Sequence, residues 1–493
     1  MMHKHTWLYL LFASLLVWLL AAAAQPQPVQ AATDDSLTRI QQKGTLVIGN
    51  SPNYPPYEFT TNVNGKEQVV GMDIEIGKQI AKDLGVKLVV KRMDFDSLLV
   101  ALETGKVDMI LSGFSPTAER KQHVDFSNTY YTSKQDIIIL KTDKGLYSDR
   151  KSFNDKKVGA VVGSIAYNLV KQQMPGAKVV GMQNASDLVL ALKAHKIDGI
   201  VKDSASAVAY ANSDPTLAAI DGKFTVSGAE SGNAIALPKG SYALQAAVNK
   251  SIAKIKRKDQ INKQFLPAAS KYISTGAKTH TMWHYWTYFA KGVEYTVGIS
   301  LVAVIIGVLL GSGLAFVRLG KITWLKKLAN AYVTFVRGTP LMVQVMFIYF
   351  GIGTFYNVSA VVAGTLAVGL NSAAYVSEVF RGGIQAIAKG QTEAARSLGL
   401  SQRDTMRYVV FPQALTDIWP ALGNEFISLI KETSIVSIIG VADLIYQMRI
   451  VQADTYRGVL PIAIAMVLYF IMTYSLTKLL AFLEKKMHHE VTV

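Results

Sequence analysis

The chain has 493 residues, a formal net charge of +16 and no cysteine. Its length predicts more than one structural unit, and the lack of cysteine excludes disulfide bonds and cysteine-based metal sites. Half of the residues are hydrophobic, but they are unevenly distributed: charges are frequent from about residue 33 to 278, whereas long apolar runs dominate after about residue 288. We therefore expect an α/β domain that faces water, followed by a membrane domain.

Residues 1–31 are predicted to form a secretory signal peptide. A short basic start precedes an apolar run at 7–24, and the small residues Val29 and Ala31 occupy the −3 and −1 positions before Ala32. Because the run approaches the length that spans a bilayer, an uncleaved anchor is the alternative. Either interpretation places the following domain outside the cytoplasm.

The segment 32–274 is predicted to fold as two α/β lobes. Apolar runs of strand length alternate with helical patterns of 3.6-residue period from Gly44 onward, and a second such series begins at Val158. This alternation is typical of βαβ units with a mainly parallel sheet. One lobe is expected for each series.

Four stretches of this segment resemble the periplasmic-type binding proteins for polar amino acids. The stretches are SPNYPPYEF (51–59), GMDIEIGKQIAKDLG (71–85), the run at 93–131 and VGAVVGSIAY (158–167). The resemblance implies a type II clamshell, with lobe 1 at about 33–132 plus 232–274 and lobe 2 at about 133–231. Two crossing segments, near 131–136 and 231–235, would let the lobes close on a ligand.

An amino acid carries a carboxylate and an ammonium on one carbon, so a dry cleft must supply a cation for the first group and an anion for the second. The resemblance assigns these roles to Arg120, as the bidentate partner of the carboxylate, and to Asp203, as the counter-charge of the ammonium. Because the two residues fall on different lobes, the ligand would bridge them and favour closure. The structural alternatives are a solvated arginine at a helix start and an aspartate that caps a loop.

Five further residues complete the ligand site that the resemblance implies. Ser115 would add a hydroxyl, and backbone groups near Gly113 and Ser164 would add hydrogen bonds. Tyr54 and Phe95 would enclose the ligand side chain. For these two aromatic residues, the alternative is a purely structural place in the core.

The ligand side chain is predicted to be polar, with glutamine favoured. Relatives that take basic amino acids, and some that take glutamine, often have an aspartate at the position of Ser51, and Ile165 and Ala166 replace more polar residues of the family pattern. Glu58 or Glu230 could supply a carboxylate from elsewhere. Arginine, lysine, histidine and the acidic amino acids are therefore the alternatives.

Five transmembrane helices are predicted in an all-α membrane domain at 291–493, which a tether at 275–290 joins to the binding domain. About 20 apolar residues span the hydrocarbon core as a helix. The predicted spans are 296–317, two within 338–377 with a break near Tyr356, 419–441 and 458–477. Charged residues interrupt the span at 419–441, namely Glu425, Lys431 and Glu432.

Basic residues are concentrated in the loops that this arrangement places inside the cell, as the positive-inside rule requires. They are Arg318, Lys321, Lys326 and Lys327 after the first span, Arg381, Lys389, Arg396, Arg403 and Arg407 after the third, and Lys485 and Lys486 after the last. The protein is therefore expected in the plasma membrane, with the binding domain outside and the C-terminus in the cytoplasm. The positive charge requires no nucleic-acid partner.

The cytoplasmic loop at 390–414 carries a spaced motif. Its members are Glu393, Ala394, Ala395, Gly399 and Pro412. The spacing resembles the coupling loop of the permease subunits of bacterial ABC importers, and FVRGTPLMVQ (335–344) and AAYVSEVFRGGIQAIAKGQ (373–391) look like signature segments of permeases for polar amino acids. The resemblance implies a short helix that docks into a groove of an ATP-hydrolysing subunit. An ordinary amphipathic surface helix is the alternative.

Lys431 and Glu432 would be costly if they faced lipid. They are predicted to line the translocation path. An ion pair, or a shallow position near the cytoplasmic boundary, is the alternative.

The sequence contains no phosphate-binding loop of the form G-x-x-x-x-G-K-[ST], so ATP hydrolysis is expected from a separate subunit that binds MgATP. This chain is expected to be neither an enzyme nor the holder of a metal or cofactor. The resemblance implies a homodimer of this chain with two ATPase subunits in the lipid bilayer.

Two other classes of protein use the same clamshell: ligand-gated receptors or channels, and enzymes on the binding-protein fold. The chain has no TVGYG-type filter, and nothing in its outer domain demands a catalytic acid or base beyond the ligand clamp. The coupling motif favours an importer over both.

Overall fold

The computed structural model of the protein describes residues 34–63, 66–226, 232–276, 281–355, 358–455, 457 and 459–491. The predicted signal peptide at 1–31 lies outside these residues, as do Glu230 and Tyr356. The described part comprises two α/β lobes and a helical domain.

Lobe 1 is built on a five-stranded sheet. Its strands in spatial order are β5 (Lys87–Arg92), β1 (Thr45–Asn50), β6 (Met109–Ile110), β15 (Ala236–Pro238) and β7 (Val124–Phe126). A smaller sheet contains β2 (Asn53–Tyr54), β3 (Glu58–Val63) and β4 (Lys66–Val70). The helices are α1 (Ser36–Lys43), α2 (Met72–Leu84), α3 (Leu98–Glu103), α4 (Arg120–His123), α8 (Tyr242–Arg257) and α9 (Leu266–Gly276). Apolar residues on one face of α2, such as Ile76 and Ile80, pack with Leu46 and Ile48 of β1.

Lobe 2 repeats the plan. Its sheet has the order β11 (Lys178–Met182), β10 (Lys157–Val161), β12 (Gly199–Asp203), β9 (Gln135–Leu140) and β13 (Leu217–Asp221). Its helices are α5 (Ile165–Gln173), α6 (Ala185–Lys193) and α7 (Ser204–Ser213). The core contains Ile138 of β9 and Leu188 and Leu192 of α6.

Each large sheet is parallel except for one strand, and that strand follows a crossing between the lobes. The crossing strands β8 (Tyr131–Thr132) and β14 (Gly232–Asn233) pair antiparallel with each other. The chain passes from β8 into β9 and from β14 into β15, and these two strands run antiparallel to both of their neighbours. The paired crossings form a two-stranded ribbon, which lies where the sequence placed the hinge.

The helical domain begins at Trp286, inside the predicted tether. Its helices are α10 (Trp286–Leu319), α11 (Thr323–Arg337), α12 (Leu341–Met346), α13 (Ala360–Ala386), α14 (Lys389–Ser397), α15 (Gln402–Thr405), α16 (Phe411–Glu432), α17 (Leu444–Thr455) and α18 (Val459–Val491). A 3-10 turn at Met282–Tyr285 precedes α10, and the indole of Trp283 stacks on that of Trp286 with 5.8 Å between ring centroids. The tether is thus shorter than predicted, because helix forms before residue 291.

Within the described residues, three helices are long and apolar enough to cross a membrane, and up to five spans result if each of two bent pairs counts as one. The bent pairs are Thr323–Arg337 with Leu341–Gly351, at 107°, and Gln402–Ile439 with Leu444–Thr455, at 56°. The structure therefore supports three to five spans. The apolar stretch after residue 338 differs most from the prediction, because its straight helical part of about 11 residues rises only about 16 Å, against a hydrocarbon core of about 30 Å.

Glycines allow α10 and α13 to pack closely. A β-carbon on Gly307 would overlap the side chain of Ser372, and one on Gly311 would lie 2.7 Å from Cβ of Val376. Small residues spaced four apart are typical of membrane helices whose backbones approach each other. This pair forms the centre of the helical domain.

Candidate ligand-binding and coupling sites

A single cavity between the lobes collects all of the residues predicted to bind the ligand. These residues are Tyr54, Phe95, Gly113, Ser115, Arg120, Ser164 and Asp203. The cavity contains about 670 Å³ of empty space, its open mouth included.

Arg120 begins the short helix α4 and reaches across the cleft. Its guanidinium donates to the carbonyl of Ser115 in lobe 1 at 2.9 Å and to that of Gly163 in lobe 2 at 2.8 Å. The guanidinium carbon lies 3.8 Å from the ring centroid of Phe114 and 5.5 Å from that of Phe95. Burial lowers the pKa of Arg120 to about 10, so the side chain remains a cation at neutral pH.

Asp203 ends strand β12 and caps helix α7. One carboxylate oxygen accepts from the amide of Ser206 at 3.0 Å, and the other accepts a short hydrogen bond from the hydroxyl of Tyr54 in lobe 1. Burial raises the pKa of Asp203, although Tyr54 and Lys202 oppose the shift. The capping role considered as an alternative is therefore present, and Asp203 also lines the cavity.

Two of the smaller predicted residues already use hydrogen-bonding groups within the chain. The hydroxyl of Ser164 caps α5 and donates to the carbonyl of Val161 at 2.6 Å. The amide of Gly113 donates to the carboxylate of Asp73 at 2.7 Å. Since a backbone amide has one proton, the N–H of Gly113 is not available to a ligand.

Beneath the cavity, Glu58 and Asp73 form a buried carboxyl pair. Burial and the charge of Asp73 raise the pKa of Glu58 well above its ordinary value, while the pKa of Asp73 is raised by burial to about 7. Asp73 also accepts from the hydroxyl of Tyr130 at 2.8 Å, whereas Glu58 accepts from Ser112. Because Asp73 has more donors, Glu58 is the member of the pair that is protonated more readily.

Lys202 is a cavity residue that the sequence analysis missed. Its side chain is buried, and its ammonium lies 3.7 Å from the ring centroid of Tyr54. Its Nζ atom has no hydrogen-bond partner among the described residues. Burial lowers its pKa to about 7, against the attraction of Asp203 and Glu58. Its position beside Asp203 was the available signal, but a single lysine in a strand normally indicates a solvated face.

The two lobes touch each other around the cavity. Besides the contacts of Arg120 and Tyr54, the side-chain amide of Asn53 donates to Asn184 at 3.0 Å. The amide of Gln183 approaches Asp96 at 3.4 Å. The clamshell is therefore closed in this structure.

The predicted coupling segment contains two short exposed helices, α14 and α15, on the side of the molecule away from the cavity. Ala395 is buried, whereas Glu393 and Ala394 are exposed on α14. Gly399 follows with φ +86°, a conformation that side chains other than glycine rarely adopt, and Pro412 lies in the first turn of α16. Two large apolar side chains of the segment are strongly exposed: Leu398 at 84% and Tyr408 at 63%.

Lys431 and Glu432 end helix α16, with Lys431 exposed and Glu432 half-buried. Their assignment to a translocation path stays a prediction.

Two protein families match the chain, one for each domain. Residues 46–268 match the bacterial extracellular solute-binding proteins, family 3. Residues 303–489 match the binding-protein-dependent transport system inner membrane component.

Individual relatives also match one domain each. Over 202 residues, 41% of this chain and 93% of the relative, the chain is 40% identical to a putative glutamine transport system permease protein (GlnP) of Rickettsia typhi. Over 226 residues, 45% of this chain and 84% of the relative, it is 35% identical to the arginine-binding extracellular protein ArtP of Bacillus subtilis. A solved amino acid ABC transporter substrate-binding protein from Streptococcus pneumoniae, bound to L-arginine, is 37% identical, with a TM-score of 0.47, and the match covers 48% of this chain and 98% of that one.

The candidate spans and the permease relatives identify a multi-pass protein of the plasma membrane. The chain belongs to the amino acid ABC importers, as a family 3 solute-binding domain fused to an importer permease.

Proposed function

We propose that the chain captures L-glutamine outside the cell and imports it, while a separate ATPase subunit supplies the energy. The observation that carries this proposal is the cavity between the lobes, where Arg120 and Asp203 stand on opposite sides. A cation and an anion so placed match the carboxylate and the ammonium of an amino acid. A ligand held by both would keep the clamshell closed.

Lys202 supports glutamine over basic amino acids. The residue lines the cavity, and its buried ammonium has no hydrogen-bond partner among the described residues, so a small movement of the side chain would let it donate to the side-chain carbonyl of glutamine. A guanidinium or ammonium ligand would place a second cation beside it, which is unfavourable in a buried site. L-Glutamate is the second candidate, because its carboxylate would also accept from Lys202.

The raised pKa of Glu58 argues in the same direction. A basic side chain would need a carboxylate in the cavity in addition to Asp203, and Glu58 was one of the residues that might supply it. Burial and the charge of Asp73 raise the pKa of Glu58, so a negative charge on Glu58 is disfavoured. The names of the relatives divide between glutamine and arginine, and the charges of the cavity favour glutamine.

Coupling to ATP hydrolysis is proposed to use the exposed segment at 390–414. Its buried Ala395 fixes the segment on the permease, while Glu393, Ala394, Leu398 and Tyr408 are exposed. Exposed apolar side chains next to charged ones are typical of protein docking surfaces. The partner would be the ATPase subunit that binds MgATP.

We further propose the assembly and orientation of the importer. Each chain presents one coupling segment, so a homodimer would engage two ATPase subunits. The basic loops support an orientation with the coupling segment and the C-terminus in the cytoplasm and the binding domain outside. Lys431 and Glu432 would line the path between them.

Calorimetric titration of the full chain in lipid nanodiscs tests the substrate. We expect L-glutamine to bind at least about tenfold more tightly than L-arginine, a difference of about 1.4 kcal/mol, with L-glutamate between them. In Lys202→Met, the preference for glutamine over arginine should shrink. Tighter binding of arginine than of glutamine by the unmodified chain would contradict the assignment.

A further inference from the structure

Lobe 1 rests on the outer face of the helical domain through polar contacts. Asp94 pairs with Arg449 of α17, with 3.3 Å between the charged atoms. Glu67 pairs with Lys291 of α10 at 3.4 Å. The ammonium of Lys106 donates to the carbonyl of Val358 at 3.4 Å. These contacts are spread over three parts of the helical domain, so they fix the orientation of lobe 1 as well as its position.

A glycine brings the two domains into backbone contact at the centre of this interface. Gly440 has φ +81°, and a β-carbon on it would overlap the carbonyl oxygen of Arg92 in lobe 1. Apolar residues continue the contact, since Met93 and Leu98 of lobe 1 belong to the same buried cluster as Val436 and Ile439. Burial at this interface explains how a helical domain and a soluble lobe share one core.

Lobe 2 touches the same helix by a different and smaller contact. Ser186 and Val189 of α6 line a narrow cavity with Gln452 and Ala453 of α17. A neighbouring cavity is lined by Asn184 of lobe 2, Asn53 of lobe 1 and Arg449. The helix α17 therefore lies across the junction of the lobes, beside the hydrogen bond from Asn53 to Asn184.

We propose that α17 is a sensor of closure that acts within one chain: lobe 1 stays seated on the permease, and lobe 2 reaches α17 only when the clamshell closes. The lobe 1 contacts combine ion pairs with a buried apolar cluster, whereas the described residues of lobe 2 meet α17 along two small cavities. If lobe 1 stays in place, opening of the cleft must carry α6 away from Ala453. The proposal rests on the proposed function, since the ligand is what holds the cleft closed.

Asp94 links the contact surface between lobe 1 and the helical domain, which we call the lobe 1 seat, to the ligand cavity. It directly precedes Phe95, which lines the cavity, while its carboxylate holds Arg449. The cavity and α17 are thus contacted by two adjacent residues of lobe 1. In an importer of two chains, the same seat in each chain would report the state of its own binding domain to its own permease half.

Cross-linking tests the sensor directly, because the natural chain has no cysteine to interfere. The double variant Ser186→Cys with Ala453→Cys places two thiols on the cavity between lobe 2 and α17. The matched pair Lys106→Cys with Val358→Cys places them on the lobe 1 seat. Both variants, as full chains in nanodiscs, are treated with a short bifunctional thiol reagent, with and without L-glutamine.

We expect both pairs to give cross-linked monomers on denaturing gels. Glutamine should increase the yield of the Ser186 and Ala453 pair and leave that of the Lys106 and Val358 pair unchanged. Covalent dimers in place of cross-linked monomers would overturn the seat within one chain. Closure sensing is overturned if glutamine does not change the cross-linking yield of the Ser186 and Ala453 pair in a preparation that calorimetry shows to bind glutamine.

The calorimetric control separates the two proposals. If no glutamine binding is measured, the substrate assignment fails, whereas intramolecular cross-linking of Lys106→Cys with Val358→Cys still supports the seat. A charge exchange adds a functional readout: Arg449→Asp alone should lose ligand-dependent stimulation of ATP hydrolysis at unchanged glutamine affinity. If the second change Asp94→Arg restores the stimulation, the ion pair between Asp94 and Arg449 is supported. If the stimulation persists in Arg449→Asp alone, the role of α17 is overturned.

Discussion

The ligand cavity and the coupling segment lie at opposite ends of the molecule and differ in how complete they are. Arg120, Asp203 and Tyr54 are held by hydrogen bonds within this chain. Glu393 and Leu398 of the coupling segment are exposed. The first site therefore has its geometry set before a small ligand arrives, whereas the second is an exposed surface, as the proposed docking of an ATPase subunit requires. Substitutions should divide in the same way, between ligand affinity and transport.

The largest effect is expected at Gly399. The variant Gly399→Val forces a β-branched residue into a left-handed conformation, at a cost of roughly 1–3 kcal/mol, and turns the exposed helix away from its partner. ATP-driven uptake should be lost while glutamine affinity stays unchanged. The matched control is Gly390→Val, because Gly390 lies in the same segment with open space around it and without a positive φ. Equal uptake by both variants would contradict a role of the coupling segment in transport that is distinct from ligand binding.

The converse variant is Arg120→Ala, which should spare the coupling segment and weaken glutamine binding. Removing one partner of a buried charged contact typically costs 2–5 kcal/mol, so the affinity should fall by at least about 30-fold. Lys121→Ala changes an exposed neighbouring cation and should leave the affinity unchanged. Calorimetry on nanodisc-bound protein measures both, and similar affinities for the two variants would remove Arg120 from the site.

Packing of the membrane helices should respond more moderately. Gly311→Leu inserts a side chain where α13 leaves no room, which typically costs about 1–3 kcal/mol, whereas Gly313 faces open space. The first variant should lower the thermal unfolding temperature of the detergent-solubilised chain, and Gly313→Leu should not. Unchanged stability of Gly311→Leu would contradict the close approach of α10 and α13.

The smallest effect concerns the pH dependence of stability. Lys202 has a pKa of about 7 in the folded chain, below the value of 10.5 for an exposed lysine. Below pH 7 the burial of its charge destabilises the fold fully, and the penalty disappears as the pH rises towards 10.5, because the unfolded state then holds the extra proton. Lys202→Met should therefore melt at a higher temperature than the natural chain at pH 7, by a margin that narrows at pH 9.5. A constant margin would place Lys202 in a solvated position.

Motifs in the sequence predicted much of the ligand site but not its selectivity. Arg120 and Asp203 stand in stretches with a recognisable pattern, and the structure places them in one cavity. The pattern does not reveal that Gly113 has already given its amide to Asp73, or that Lys202 points inward. Both facts depend on how residues far apart in sequence pack together, which short-range periodicity does not reveal.

The membrane domain was predicted less well for a different reason. Hydropathy measures the length of an apolar stretch but not its direction, so it did not reveal the 107° bend between Thr323–Arg337 and Leu341–Gly351. The contact between α10 and α13 depends on Gly307 and Gly311, whose importance appears only when the facing residues are known. The seat of lobe 1 on α17 depends on pairs hundreds of residues apart, such as Asp94 and Arg449.

The most direct test is uptake of labelled L-glutamine into proteoliposomes that contain this chain purified with its ATPase, with nucleotide enclosed in the lumen. The account predicts accumulation of glutamine when the lumen holds MgATP, none with MgADP, and none with MgATP for Arg120→Ala. Glutamine entry that is equally fast with MgADP would contradict an ATP-driven importer and indicate a channel. Binding of glutamine without accumulation under any condition would indicate a receptor.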